Sequence, residues 1–183
     1  EPGKVFHSGR VAFNADGSRL IWSPSNSYTV YYTEDLGETW TACEGIMGQN
    51  MYVIGDSVNA DYVYAYGSEK LYVSSDGGKT FEKIGNELFL NEDRLCVHPS
   101  QEGTFYLPAI SLYMTTDHGA TFTAVPNVKT CESVSLGKAK NDGDPYVIYI
   151  YGTVADNDTK GIYMSEDNGE TDCDMVKLMT IHS

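Results

Sequence analysis

Along most of this chain, apolar and polar residues alternate in short runs that end at glycine, aspartate or asparagine. Thr29-Val30-Tyr31-Tyr32 and Lys70-Leu71-Tyr72-Val73 are representative, with β-branched and aromatic residues placed so that every second side chain shares one face of a strand. No apolar stripe at helical spacing extends beyond about two turns. The pattern predicts strands at 10–14, 19–23, 29–33 and 39–43, then at 51–56, 61–66, 70–74 and 80–84. A third set falls at 94–98, 104–107, 111–115 and 121–125, and a fourth at 132–136, 146–153 and 161–165. The sixteenth element is irregular. It begins near Met175 as a strand or forms a helical turn over 174–180.

The strands are punctuated by a recurring turn. Thr33-Glu34-Asp35-Leu36-Gly37-Glu38-Thr39-Trp40 reappears as Ser74-Ser75-Asp76-Gly77-Gly78-Lys79-Thr80-Phe81 and as Thr115-Thr116-Asp117-His118-Gly119-Ala120-Thr121-Phe122. A fourth copy, Ser165-Glu166-Asp167-Asn168-Gly169-Glu170-Thr171, has Asp172 where the aromatic should stand. This pattern is the Asp-box, and its aspartates are spaced by 41, 41 and 50 residues. A period near 40 to 50 residues marks a stacked or radial array. The aspartate can accept backbone N–H bonds, the following glycine permits positive φ, and the threonine hydroxyl can bond back across the turn. Asp35, Asp76, Asp117 and Asp167 are therefore read as turn formers and not as catalysts. Four strands per repeat predict an all-β fold of about four antiparallel β-propeller blades, the last irregular. The repeats run about 10–50, 51–93, 94–131 and 132–183 within one partial propeller domain over 1–183.

The chain's 183 residues carry a net charge of −14. Nucleic acid and anionic membranes need a basic surface, so both are excluded as partners. A neutral polysaccharide is compatible. No apolar run approaches the ~18 residues of a transmembrane helix. No signal peptide precedes Glu1, which fits an excised secreted segment and a cytosolic one alike. Cys43, Cys96, Cys131 and Cys173 lack C-x-x-C spacing, so no zinc site is expected, and Cys43 and Cys96 read as core thiols. Asn157-Asp158-Thr159 is a glycosylation sequon in an expected loop. His7, His98, His118 and His182 have no metal-ligand spacing, and no cofactor is expected.

The linking motifs are more specific than the turn. Gly9-Arg10-Val11-Ala12-Phe13-Asn14-Ala15-Asp16-Gly17-Ser18, followed by Leu20-Ile21-Trp22-Ser23-Pro24, resembles the xyloglucan-cleaving enzymes of glycoside hydrolase family 74. Tyr64-Ala65-Tyr66 with Lys70 to Gly78 is similar to that family's next blade. Gly137-Lys138-Ala139, Tyr146-Val147-Ile148-Tyr149, Gly152-Thr153-Val154 and Gly161-Ile162-Tyr163 are similar to its penultimate segment. The likeness extends over 9–171. It implies a portion of the C-terminal one of two seven-bladed propellers, facing a substrate cleft in a secreted, extracellular enzyme. Its partners would be xyloglucan, the remaining blades and the N-terminal propeller. That family uses one aspartate from each propeller in an inverting scheme. No residue here matches either catalytic segment, so no catalytic residue is assigned, and whether this chain is itself an enzyme stays open.

In a propeller, the loops joining strand 2 to strand 3, and strand 4 to the next strand 1, share the ligand-facing rim. They fall at 23–28, 44–50, 67–69, 85–93, 108–110, 126–131 and 154–160. Sugars bind flat aromatic faces flanked by planar hydrogen-bonding groups. Trp22, Tyr28, Tyr66, Phe89 and Tyr151 are the candidate substrate-binding residues, with Asn26, Gln49, Asn50 and Asn91 as polar company. Glu44, Glu87, Glu92, Asp93, Asp156 and Asp158 are rim acids, read mainly as solvated. A sialidase is disfavoured, because Arg10, Arg19 and Arg94 are the only arginines and do not form its triad pattern. The alternative reading is a noncatalytic Asp-box propeller serving as a carbohydrate-binding or protein-interaction scaffold. A truncated product with little autonomous function is a third.

Overall fold

The computed structural model describes residues 8–67, 70–84, 95–155, 157–168 and 176–180. Every regular element among them is a strand. The first sheet is formed by β1 (Gly9–Phe13), β2 (Leu20–Pro24), β3 (Tyr31–Thr33) and β4 (Thr41–Ala42), in that order. The second holds β5 (Tyr52–Gly55), β6 (Val63–Gly67), β7 (Lys70–Ser74) and β8 (Glu82–Ile84). The third holds β9 (Cys96–Val97), β10 (Phe105–Pro108), β11 (Leu112–Thr115) and β12 (Thr123–Ala124). The fourth holds β13 (Val128–Gly137), β14 (Val147–Val154), β15 (Asn157–Ser165) and β16 (Val176–Thr180). All four are simple meanders with each strand beside its sequence neighbour, as expected for blades joined by tight turns. The sixteenth element is thus a strand and not a helical turn.

Local chemistry sets the register. Between β1 and β2, the Arg19 N–H donates to Asn14 Oδ1 at 2.9 Å and the Gly17 N–H to the Asn14 carbonyl at 3.0 Å. Gly17 lies at φ 71. This turn aligns Val11 with Trp22 and Phe13 with Leu20. The aspartate turns repeat nearly atom for atom. Thr33 Oγ1 donates to Asp35 Oδ1 at 2.7 Å, and Asp35 accepts the Thr39 N–H at 2.9 Å and the Thr39 hydroxyl at 2.6 Å. Ser74, Asp76 and Thr80 reproduce the set, as do Thr115, Asp117 and Thr121. In the fourth copy Ser165 Oγ donates to Asp167 Oδ1 at 2.9 Å, and the remainder of that copy, from Gly169 on, lies outside the described residues. The expected left-handed glycine is present in the first three, but the residue before it is left-handed too: Leu36 at φ 57, Gly77 at 73 and His118 at 58. For a leucine that conformation costs roughly 1–2 kcal/mol, which the converging bonds of the turn must outweigh.

Two compact units share these sheets. One holds β1 to β8 with residues 97–105 and 115–121. Its core joins Ile21 and Val30 of the first sheet region to Val53, Val63, Ala65 and Phe81 of the second, with Cys43 beside them. Each of the valine, isoleucine and phenylalanine side chains contributes about 1.5–3 kcal/mol when fully buried. The other unit holds residues 106–114 and β13 to β16, with Leu112, Cys131, Ile148, Ile150 and Tyr163 at its centre.

The fourth sheet departs most from the sequence reading. β13 starts at Val128 and β15 at Asn157, so stretches expected as loops at 126–131 and 154–160 are largely extended strand. Val154 pairs with Asn157, leaving a two-residue connection. Ion pairs of Lys129 with Asp158 and of Lys160 with Glu132 flank the extension. The run Asp156-Asn157-Asp158 reads as a turn, and those cross-strand pairs are what a local pattern cannot show.

Candidate functional site: an aromatic groove on the first two sheets

The chain leaving β4 does not pass straight into β5. It first bridges to the second sheet: Glu44 N–H donates to the Lys79 carbonyl at 2.9 Å, and Phe81 N–H to the Glu44 carbonyl at 2.9 Å. Gly45 is next at φ 74, so close to Phe81 that a Cβ would stand 2.0 Å from its carbonyl oxygen. Only glycine meets both demands. Beyond it, the Gly48 N–H donates to the Tyr28 carbonyl at 2.9 Å, and Asn50 N–H to the Pro24 carbonyl at 3.0 Å. Met51 N–H is received by the buried Ser23 hydroxyl at 2.8 Å. The loops carrying Tyr28 and Met47 are therefore fixed to each other and to the core.

Between them lies an open groove of about 530 Å³, lined by Tyr28, Gly45, Ile46, Met47, Gly48, Lys70 and Tyr72. Tyr28 is 62% and Met47 70% exposed, although Ile46 and Tyr72 on the floor are buried. An exposed aromatic on a pinned loop, over an apolar floor, is unusual among surface features. It resembles a platform for a flat, partly apolar ligand face. Gln49 and Asn50 continue the same loop and are exposed, as is Asn26 beside Tyr28. Lys70 supplies a cation at the far side.

Of the four candidate aromatics among the described residues, only Tyr28 lies in this groove. Trp22 is half-buried on the face of the first sheet, 5.3 Å from Trp40 and 6.3 Å from Tyr31 between ring centres. Tyr66 is 4% exposed, paired with Tyr52 and Leu71 inside the second sheet. Tyr151 is half-buried in the middle of β14, with Lys160 Nζ 5.6 Å from its ring centre. Phe89 and Asn91 fall outside the described residues. Met47 and Lys70, which complete the groove, were not singled out by sequence. The glycines flanking Ile46-Met47 were the available signal, since they permit the close approach that exposes Met47.

The acids are set for structure. Thr39 and Thr33 hydroxyls with the Thr39 N–H hold Asp35 at about 2, and Thr121 and Thr115 do the same for Asp117. Burial pushes the Asp56 carboxyl up, but N–H groups of Asn59, Val58 and Gly103 and the Tyr64 hydroxyl outweigh it and leave it below its usual value. Lys129 lowers Asp158. A general acid in glycoside hydrolysis needs a raised carboxyl. Every described carboxyl with a resolved shift moves the other way. Glu87, Glu92, Asp93 and Asp156 lie outside the described residues.

Repeated four-stranded meanders with aspartate turns at one end and a pinned groove at the other define a propeller-type protein. Residues 69–180 match the family model described as Sortilin-Vps10 (sortilin, neurotensin receptor 3), more than half of the chain, and the chain belongs to that family. It is also similar along nearly its whole length to a xyloglucanase of Paenibacillus sp, 33% identical over 179 residues, 92% of this chain and 17% of that enzyme. A xyloglucanase of Acetivibrio thermocellus is 35% identical over 166 residues, 89% of this chain and 19% of its own length. The crystal structure of the GH74 enzyme of Niastella koreensis superposes with a TM-score of 0.77 at 33% identity, over 89% of this chain and 24% of that one. The resemblance to glycoside hydrolase family 74 holds, and the fold is a partial β-propeller. The chain spans about a fifth of the length of these curated relatives.

Proposed function

We propose that this chain is one wall of the polysaccharide cleft in a secreted, extracellular xyloglucan-degrading glycoside hydrolase, and that it binds substrate without supplying the catalytic acid pair. The observation that carries this reading is the groove at Tyr28: a ring 62% exposed, held by a loop that Gly45 and Gly48 lock to the core. The tyrosine face and the Met47 side chain would pack on a pyranose ring, with Lys70 in the same groove to meet its hydroxyls and the exposed Gln49 and Asn50 next along the loop. The xyloglucanase names of the relatives support this choice of polysaccharide. The aspartate turns are Asp-boxes with a structural role, and the parent protein supplies the remaining blades. Calorimetric titration with xyloglucan oligosaccharides, beside a reducing-sugar assay, tests the reading. Binding without turnover is expected; turnover would reveal an acid pair in this chain.

One observation favours a second reading. The Sortilin-Vps10 description names a receptor, and the match covers 69–180. A scaffold that binds protein and no glucan would be consistent with it, and absence of any xyloglucan affinity in the folded chain would select it.

A further inference from the structure

At one position the second sheet differs in kind from its sisters. Lys70 lies as far before Asp76 as Thr29, Ser111 and Gly161 lie before Asp35, Asp117 and Asp167. A cation here is peculiar to the sheet that supplies Tyr72 to the groove floor. Successive residues of β7 alternate faces, so Lys70 shares a side with the buried Tyr72. Pairing of Gly67 with Lys70 fixes the lysine at the end of a tight hairpin. Gly67 in turn packs on Met51, where a Cβ would stand 3.1 Å from Cγ. The hairpin is thereby seated against the end of the loop that carries Met47.

Lys70 is the only charged residue among those that line the groove. The chain has 26 acidic residues against 12 lysines and arginines, and several of its cations sit on carboxylates: Arg19 and Lys79 on Glu34, Lys129 on Asp158 and Lys160 on Glu132. Among the described residues, no carboxylate pairs with Lys70. An exposed ammonium beside an apolar floor, with no acid in the lining, is a local positive site on a chain of net charge −14. Salt damps the field of exposed charges beyond about 8 Å, so a small anion in the groove meets mainly this cation.

We propose that the groove selects a sugar that carries a carboxylate: a uronic acid unit whose ring packs on Tyr28 and Met47 while its carboxylate accepts N–H bonds from Lys70 Nζ. This selectivity rests on the reading of the groove as a polysaccharide site, and it specifies the unit that the site prefers. A hydroxyl draws on no more of the lysine than a neutral donor would supply. A carboxylate on an ammonium makes a charge-assisted hydrogen bond, about twice as strong as a neutral one. The buried Ile46 and Tyr72 beneath it lower the local dielectric and strengthen the pair further. An extended polyanion is not such a ligand, because beyond the groove it would lie against a surface of net negative charge. The occupant is therefore a mainly neutral polysaccharide with isolated uronic acid units.

Matched ligands test it. The 183-residue chain is titrated at about pH 7, where uronic acid and lysine are both ionised, with a xyloglucan oligosaccharide. The titration is repeated with the same oligosaccharide after its primary alcohols have been oxidised to carboxylates. The oxidised ligand should bind about fivefold tighter or more at about 20 mM salt, and the ratio should shrink at about 500 mM. Lys70→Arg should keep the preference and Lys70→Gln should abolish it. Lys70 is exposed, so both variants should melt with the unaltered chain. Equal binding of the two ligands, with both lost in Tyr28→Ala, would overturn the preference and leave the polysaccharide site in place. A preference that survives Lys70→Gln would overturn it too, since another cation would then hold the carboxylate. Failure of both ligands to bind the folded chain would remove the polysaccharide site itself, and the preference with it.

Discussion

The Tyr64 hydroxyl lies 2.9 Å from Nδ1 of His118, within a buried network that no pattern in the sequence announces. The same hydroxyl donates to Asp56 Oδ2 at 2.9 Å. Asp56 is 2% exposed and also accepts N–H bonds from Val58, Asn59 and Gly103. A phenol has one proton. With that proton donated to the Asp56 carboxylate, His118 must be the donor to Tyr64. The neutral imidazole therefore carries its hydrogen on Nδ1, and Nε2 faces Glu102 at 3.6 Å. Nitrogen-15 NMR of the histidine rings above pH 8 should show His118 as the Nδ1–H tautomer, the less common one in water. An Nε2–H signal would contradict the assignment.

Removing the phenol tests the same network energetically. Tyr64→Phe leaves the buried Asp56 carboxylate one donor short and should cost roughly 1–3 kcal/mol. His118 loses its acceptor at the same time. Urea denaturation would measure the loss, and Tyr72→Phe, on the opposite face of the second sheet, is the control.

The aspartate turns predict an acid limb. Asp35 and Asp117 sit at about 2 in the folded chain, against about 3.9 for an unfolded aspartate. A carboxyl lowered by folding stabilises the fold fully above its unfolded value. That contribution fades as pH falls from about 4 through about 2. The urea midpoint should therefore hold steady from pH 7 to 5 and drop between pH 4 and 2. The double variant D35N/D117N should show a shallower drop. An identical slope would mean that the turns do not report on stability.

Backbone strain at Gly45 separates two costs. Gly45→Ala adds a Cβ at 2.0 Å from the Phe81 carbonyl oxygen as well as a left-handed alanine, whereas Gly17→Ala at φ 71 meets nothing within 4 Å. Gly17→Ala should cost roughly 1–2 kcal/mol. Gly45→Ala should cost more than that, and should also weaken ligand binding because the bridge that seats Met47 must move. Equal losses in the two variants would show that the close approach is relieved elsewhere.

Burial makes the core thiols inert. It pushes Cys43 and Cys131 up to about 12, far from thiolate at neutral pH. Neither should react with Ellman's reagent at pH 8 until the chain is unfolded in urea, when both should react within seconds. Rapid native labelling of Cys43 would place it outside the core.

Strand type, meander order and the aspartate turns were legible because each rests on nearest neighbours: alternation, a glycine, a carboxylate two residues after a hydroxyl. The features that were not legible depend on partners far along the chain. Leu36 and His118 hold left-handed conformations within the turn's converging bonds, and for Leu36 side-chain identity argues against it. The extension of β13 to β15 past the expected loops rests on ladder pairing of Val128 with Val154 and of Val154 with Asn157, with the Lys129–Asp158 and Lys160–Glu132 ion pairs beside it. At the groove, aromatic character alone selected Trp22, Tyr66 and Tyr151 beside Tyr28. Position along a strand cannot tell a ring that lies against a neighbouring tryptophan from one that faces solvent. Met47 escaped notice because its exposure is imposed by Gly45 and Gly48, and a lone methionine in a loop carries no chemical signature.

Binding at the Tyr28 groove is the central claim, and calorimetric titration of the unaltered and Tyr28→Ala chains with a xyloglucan oligosaccharide tests it most directly. Tyr28 is mostly solvent-exposed, so the variant should keep its melting temperature within a degree or two. The account predicts measurable affinity in the unaltered chain and a loss of about tenfold or more, near 1.4 kcal/mol, in the variant. Equal affinity in the two chains, with both folded, would contradict it.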